Sequence, residues 1–417
     1  LAVVGQRVKR FLFLQGPISP FFCELAAALR ARGHVAHRIN LCLGDKLFWR
    51  GPGAVDFRAP LADWPVFVAD FLDRHAITDL VLLGEQRVYH RVAIGAAAAR
   101  SIPVTATDFG YVRPDWIILE RDGHNAMSHF PRQAAEILRL AEGAPVVEAR
   151  NRFRDAFARQ ARWDMLFHLA NLLPWPFPHF ETHLLNAPIP TYLGTGLRLA
   201  VRPLERRRTT ALMARLPADA PFFLFAMQME MDFSLRAYSP FPDLDTPMRE
   251  TVASFAAHAP AHAHLVFKTH PLDPGLKWWA RRVAQMARAA GVAGRVHFSD
   301  GAPLGPMLER AAGMITANST AALFALERGC PVLALGEAVY RVPGLSHENG
   351  RDSFWTQPEA PDPALADAFL RAITHHLHVP GGYYDDEARQ TAIAAAVERL
   401  ENGTVGLPAP TEATSGG

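Results

Sequence analysis

A chain of 417 residues with 49% hydrophobic and 20% charged side chains can bury a large core, which excludes intrinsic disorder, and it is long enough for two domains. A net charge of +2 excludes a globally basic nucleic-acid binder, so any basic surface must be local. Three widely spaced cysteines, Cys23, Cys42 and Cys330, in apolar surroundings exclude a disulfide framework or a zinc site and fit a reducing compartment.

In chain order, Arg10 to Leu14 reads as a strand, Pro20 to Arg32 as an Ala/Leu/Arg helix and Val35 to Ile39 as a second strand. Asp79 to Leu83, a helix through Ala93 to Ala99, and Ile102 to Thr107 continue the alternation, which predicts a parallel sheet covered on both faces. From Arg150 to Arg208 the pattern changes to Arg/Trp/Phe-rich helical sequence (RNRFRDAFARQARWDMLFHLANLL), then Pro174-Trp175-Pro176-Phe177-Pro178 and Arg206-Arg207-Arg208. Such a segment can lie on an anionic membrane surface or serve as an ordinary inter-domain helix; both readings stay open. After Pro190 the short apolar runs resume at Pro221 to Ala226, His264 to Phe267, Arg295 to Phe298, Gly313 to Thr316 and Pro331 to Leu335, a second doubly wound unit. The expected division is an N-terminal lobe over 1–190, a C-terminal lobe over 191–380, a helix over 381–402 packing back on the first lobe, and a disordered Pro/Thr/Gly tail over 403–417. No basic-then-apolar leader opens the chain and no apolar run reaches the roughly 18 residues of a membrane span, so a cytoplasmic location is expected.

Chemistry-bearing residues collect where predicted strands end, the place where open α/β sheets bind ligands. In FLFLQGPISP, Gly16 permits close backbone approach, and Gln15 supplies a neutral donor and acceptor; a tight turn with a solvated glutamine is the plainer reading. Asp108, in TDFGYVRP, can act as nucleophile or base with Arg113 to hold it ionised, or form a structural pair with it. Lys268 and His270, in FKTHP, suit a phosphate whose charge they neutralise. Asn318, Ser319 and Thr320, between a strand and a helix and followed by Gly-Cys-Pro-Val, form the most demanding pattern, a helix start with hydroxyl caps that can seat a phosphate. Gln228, in QMEMD, either lines the nucleotide side or belongs to a polar loop. Asp243-Leu244-Asp245 mimics a metal-binding DxD but lies in a proline-flanked loop; no His/Cys/carboxylate cluster has metal spacing, and there is no P-loop or GxGxxG.

Taken in order, FLFLQGPISPFF, RINLCLGDKLFW from Arg38, DFGYVRPDWIILE from Asp108, LVFKTHPLDPG from Leu265, and TANSTAALFAL with GCPVLALGEAVYRVPGL resemble the capsule polysaccharide biosynthesis proteins of the KpsS/LipB type, from about Arg10 to Trp355. The resemblance implies an α/β, GT-B-like fold of two Rossmann-like doubly wound lobes facing a cleft. It also implies a β-Kdo glycosyltransferase that uses CMP-Kdo to place the first Kdo of a poly-Kdo linker on lysophosphatidylglycerol at the inner membrane. Implied partners are a linker-extending Kdo transferase and the capsule export machinery; no metal, cofactor or nucleic acid is implied. Carried over by motif, His270, Ser319 and Thr320 would meet the CMP phosphate with Lys268, Asn318 and Gln228 on the donor side. Asp108 would face the anomeric carbon, and Gln15, Gly16 and Arg113 would line the acceptor and sugar side. The chain departs from GT-B practice at Phe324, where a ribose-binding Glu is usual; Glu327 or Glu337 are the substitutes in reach. Rival readings are another CMP-sugar transferase, such as a sialyltransferase, and a non-catalytic export or scaffold component.

Overall fold

The computed structural model describes residues 7–147, 152–154, 156–217 and 219–407. The chain divides into two units, one formed by 1–130, 145–183 and 373–417, the other by 131–144 and 184–372. The expected boundary after residue 190 therefore falls inside a helix of the second unit, Pro188–Arg215.

The first unit carries a seven-stranded sheet in the order β12-β6-β5-β4-β1-β2-β3. Its parallel strands are β1 (Arg10–Phe13), β2 (Val35–Asn40), β3 (Ala54–Asp56), β4 (Asp79–Leu83) and β5 (Val104–Phe109). The apolar run of β1 is explained by burial on both faces. Phe11 and Phe13 pack with Phe21 and Leu25 of the helix Phe21–Ala31 and with Ile393 and Val397 of the helix Asp386–Asn402, whereas Leu12 and Leu14 pack with Trp64, Phe71 and Leu80 on the opposite face.

Two features correct the expected all-parallel sheet and free tail. β6 (Trp116–Arg121) runs antiparallel to β5, with Asp108 opposite Ile118, and β12 (His378–Pro380) runs antiparallel to β6. The DFGYVRPDWIILE segment is thus a strand, a short connection and a returning strand, which extends the sheet beyond its parallel part. The residues just past Gly403 are not loose: Val405 is buried in the core, and a Cβ on Gly406 would lie 2.9 Å from the Arg121 amide. The remainder of the expected tail, 408–417, lies outside the described residues, as do Arg150, Asn151 and Asp155 of the basic-aromatic segment.

The second unit carries a five-stranded parallel sheet, β11-β10-β7-β8-β9, formed by β7 (Phe222–Ala226), β8 (His264–Lys268), β9 (Val296–Ser299), β10 (Gly313–Thr316) and β11 (Val332–Ala334). Phe223, Phe225, Leu265 and Phe267 centre its core against Phe255, Trp279 and Trp355. In both units the order reverses beside the first strand, between β1 and β4 and between β7 and β10. That topological switch point opens a crevice at the carboxyl ends of the strands, because the connections there leave toward opposite faces.

Candidate active site

Every site residue expected from the sequence stands at or just beyond the carboxyl end of a parallel strand, or, for Arg113, in the connection that follows β5. Gln15 follows β1 at the first switch point. Its side chain is buried and its amide nitrogen donates to Asp45 Oδ1 at 3.3 Å, while Arg87 Nη1 donates to its Oε1 at 2.7 Å. Asp45 in turn pairs with Arg38 at 3.0 Å and accepts the Leu41 amide at 2.9 Å. Gln15 thus links the half-buried Arg87 to the buried Asp45–Arg38 pair and is not the solvated glutamine of a plain turn. Gly16 is required by packing, since a Cβ there would lie 2.3 Å from the Phe22 ring. It also borders a small pocket with Ser19, Arg38, Asp45 and Trp49.

Asp108, near the end of β5, keeps 39% of its side chain exposed. Its Oδ1 accepts the Phe109 amide at 2.7 Å, and its Oδ2 lies 3.0 Å from His124 Nε2. Tyr383 donates its hydroxyl to the Asp108 carbonyl at 2.9 Å. Burial pulls the Asp108 carboxyl upward, but the hydrogen bond and charge of His124, the Phe109 amide and Arg113 outweigh it and hold the group below the usual carboxylate range. Arg113 donates to the Gly110 carbonyl at 3.0 Å and lies over the Phe109 ring, 5.3 Å from its centroid.

His124 was not singled out in the sequence, and neither was Glu85. His124 Nδ1 lies 2.6 Å from Glu85 Oε2. Burial would strip the imidazole of its proton, but Glu85 and Asp108 reverse that and raise it well above the ordinary histidine value. Beside them Glu120 accepts from the Tyr111 hydroxyl at 2.6 Å and from the Ser128 hydroxyl, and burial pushes it up to about 7. Glu85 did carry a signal, since Gly84-Glu85 follows β4 as Asp108 ends β5. His124 had none, because only the fold brings the segment after β6 to β5.

In the second unit Gln228, after β7, and Asn318, after β10, meet across the switch point. Gln228 Nε2 donates to Asn318 Oδ1 at 3.0 Å and the Asn318 amide donates to Gln228 Oε1 at 2.9 Å. Both side chains are buried, so they brace the turn that presents Ser319 and Thr320, which are half-buried. Ser319 Oγ accepts the Ala321 amide at 3.2 Å within the turn, but the helix that follows, Ala322–Leu326, starts from Ala321 with no side-chain cap, so the hydroxyl caps expected from the sequence are not formed. Lys268, ending β8, is buried; burial, with Arg202 and Arg198 adding to it against Asp300, lowers its ammonium to about 8. His270 is half-buried, and its Nδ1 accepts the Leu272 amide at 3.1 Å, which places the proton of the neutral ring on Nε2. Arg198, also unanticipated, is held by Asp300 at 3.1 Å and donates to Thr269 at 3.3 Å.

The remaining candidates have structural duties. Asp243 accepts from the Thr246 amide and hydroxyl, both at 2.8 Å, and Asp245 pairs with Arg282 at 2.8 Å and Lys277 at 3.3 Å. Glu327 and Glu337 are exposed and contact Arg328 and Arg341. Among the described residues no helix is long and apolar enough to cross a membrane.

Two Rossmann-like units, each with its polar residues gathered at the carboxyl ends beside a switch point, define an α/β protein whose candidate site residues lie at strand ends. The chain belongs to the capsule polysaccharide biosynthesis protein family, whose signature matches residues 78–384. It is 29% identical over 91% of its length to the capsule polysaccharide modification protein LipB of Neisseria meningitidis serogroup B, covering 92% of that protein. It is 26% identical over 90% of its length to the capsule polysaccharide export protein KpsS of Escherichia coli, covering 97% of it. Among solved structures, the beta Kdo 2,7 transferase KpsC of Thermosulfurimonas dismutans aligns with a TM-score of 0.45 at 14% identity over 94% of this chain and 99% of that one.

Proposed function

We propose that the protein is a retaining β-Kdo transferase that takes Kdo from CMP-Kdo and places it on lysophosphatidylglycerol, the first step of a poly-Kdo linker for capsule polysaccharide. The observation that carries this reading is the partly exposed Asp108 carboxyl at a strand end, with its Oδ2 3.0 Å from His124 Nε2. A carboxylate so held is poised to attack a carbon and to leave again. In the first step an Asp108 oxygen bonds to Kdo C2 as the C2–O bond to the CMP phosphate breaks, and the bonding pair departs with CMP. In the second step the acceptor hydroxyl oxygen bonds to C2, the Asp108 ester bond breaks, and the hydroxyl proton is released to solvent. Two inversions give net retention. Lys268 and His270, with the Ser319 and Thr320 turn, neutralise and hold the departing phosphate, and the reading assigns no role to a metal or cofactor.

A lipid acceptor requires contact with the inner-membrane surface, and the helix Phe157–Ala170 with the residues after it supports such contact. Trp163 and Phe167 face inward, while Met165, Leu166, Leu169, Leu172 and Leu173 are exposed and Trp175 is 78% exposed. An apolar outward stripe beside exposed Arg152, Arg154 and Arg162 suits an anionic lipid surface. The deciding experiment is mass spectrometry of the products from CMP-Kdo and lysophosphatidylglycerol. A single Kdo adduct supports the reading; transfer only from another CMP-sugar would favour a different transferase, and no binding of any CMP nucleotide would favour an export or scaffold role.

A further inference from the structure

Glu85, His124 and Asp108 form a continuous chain of contacts, 2.6 Å from Glu85 Oε2 to His124 Nδ1 and 3.0 Å from His124 Nε2 to Asp108 Oδ2. Both ring nitrogens therefore face carboxylate oxygens. A neutral imidazole has one N–H and would turn a lone pair toward one of two carboxylates, so with both carboxyls ionised the arrangement favours the imidazolium, held to Glu85 by charge at ion-pair distance and not by an aligned hydrogen bond. The chain is also graded in exposure: the Glu85 side chain is 3% exposed, His124 9% and Asp108 39%. Two buried charges, Glu85 and His124, are an expensive way to stabilise a fold, because apolar residues of similar size generally serve as well. A chain whose single accessible member is its terminal carboxylate has a different use.

We infer that His124, braced by Glu85, is a positioning residue for the Asp108 carboxylate, fixing its orientation and keeping it ionised, and that it supports Asp108 again when that carboxylate leaves. The inference rests on the transferase reading for the reaction it serves. In the first displacement the imidazolium holds Oδ2 while the carboxylate forms its ester bond to C2. In the second it donates to the same oxygen as negative charge returns to Asp108, so the leaving carboxylate is stabilised without a proton being transferred to it. The other titratable groups around the chain are Glu120 and Tyr111 on the Glu85 and His124 side, and Arg113, Arg87, Tyr383 and Tyr384 near Asp108.

The test uses the full chain, Glu85→Gln and His124→Gln, with two independent readouts. The first needs no substrate: by NMR, the His124 ring of the wild type should titrate well above the ordinary histidine value of about 6.5 and should fall back toward it in Glu85→Gln. A wild-type ring that titrates near that ordinary value would overturn the inference. The second is transfer: His124→Gln should lose about 100-fold in kcat with the KM for the donor little changed, and the acid limb of its rate profile should move to higher pH as Asp108 loses its cationic neighbour. Should His124→Gln fail to fold, Glu85→Gln carries the same comparison with a smaller shift. A loss of rate with an unmoved acid limb would make the chain merely structural. If the wild type transfers no Kdo at all, the transferase reading falls, and the NMR result still decides whether the charged chain exists.

Discussion

The two switch points are built on one plan and furnished in opposite ways. Each has a glutamine directly beyond the first strand, Gln15 after β1 and Gln228 after β7, and each glutamine binds a residue that follows a neighbouring strand. Gln15 sits among Arg87, Asp45 and Arg38, with the Glu85, His124 and Asp108 chain also at these strand ends. Gln228 meets only the neutral Asn318, and the residues presented beside it are hydroxyls, with Lys268 and His270 at the neighbouring strand. Topology therefore fixes where polar groups gather, and the side chains decide what the place does. A floor dense in opposed charges can hold one carboxylate ionised for covalent chemistry, whereas the locally neutral floor around Gln228, with Lys268 and Asp300 at the neighbouring strands and Arg198 held by Asp300, suits reversible binding of an anion.

The strongest way to break that contrast is to neutralise Asp108. Asp108→Ala should lower transfer by on the order of 10⁴-fold or more, as removal of a nucleophile does, while calorimetric titration shows CMP binding unchanged. Transfer surviving in that variant would remove the distinction between a reacting unit and a holding one.

The charged floor also has a stability cost that can be read through Glu120. Its carboxyl is raised to about 7 by burial, above the usual value of about 4.3 in an unfolded chain. The folded protein thus binds more protons than the unfolded one between those values, and the stabilising contribution present at low pH is lost as the pH rises through 7. Glu120→Gln, which keeps an acceptor for Tyr111 without the charge, should therefore gain up to roughly 3 kcal/mol relative to wild type at pH 8 and little at pH 4. Thermal unfolding at the two pH values checks it; an equal shift at both would mean that the buried charge is not the cause.

The contrast was only half legible in the sequence. The strand runs were readable because strands buried on both faces are continuous in apolar residues, as Phe11 to Leu14 and Phe222 to Ala226 show. The second unit's residues were readable too, because Lys268, His270 and Ser319 lie beside the strand ends that position them. β6 was missed as a strand because the Gly110 to Asp115 connection reads as a loop leading away from the sheet, and with it went the link from β5 to His124. The tertiary contact at 3.0 Å between Asp108 and His124 has no local sequence signature. Gln15 and Gln228 were found, but their use in bracing could not be read, since it depends on Arg87 and Asn318 across the crevice.

Lys268 offers a smaller effect on the holding side. With its ammonium lowered to about 8, it is charged at neutral pH and loses its proton as the pH passes that value, so affinity for CMP should fall between about pH 7 and 9. Lys268→Met should weaken CMP binding by about 10- to 100-fold at pH 7, the scale of a lost charged hydrogen bond, and should abolish that pH dependence. Unchanged affinity would take Lys268 out of the donor site, and the same measurement on His270→Ala would show how much of the anion's charge the histidine carries.

The finest test sets the two glutamines against each other, because residue type and topological position are matched and only the surroundings differ. Removing the Gln228 amide leaves Asn318 with its own contacts to the Ser234 and Tyr238 carbonyls at 2.6 and 3.4 Å, so Gln228→Ala loses neutral hydrogen bonds worth about 1 to 2 kcal/mol. Removing the Gln15 amide takes a partner from Arg87 and from Asp45 at once. A buried charge left short of partners is penalised more than a neutral group, so Gln15→Ala should cost about 1 kcal/mol more than Gln228→Ala in denaturant unfolding. The comparison cancels the helix and strand context common to both sites, which makes a difference of that size interpretable. Equal losses would mean that the charges around Gln15 are satisfied without it, and that the charged and neutral floors differ in chemistry but not in how they are held together.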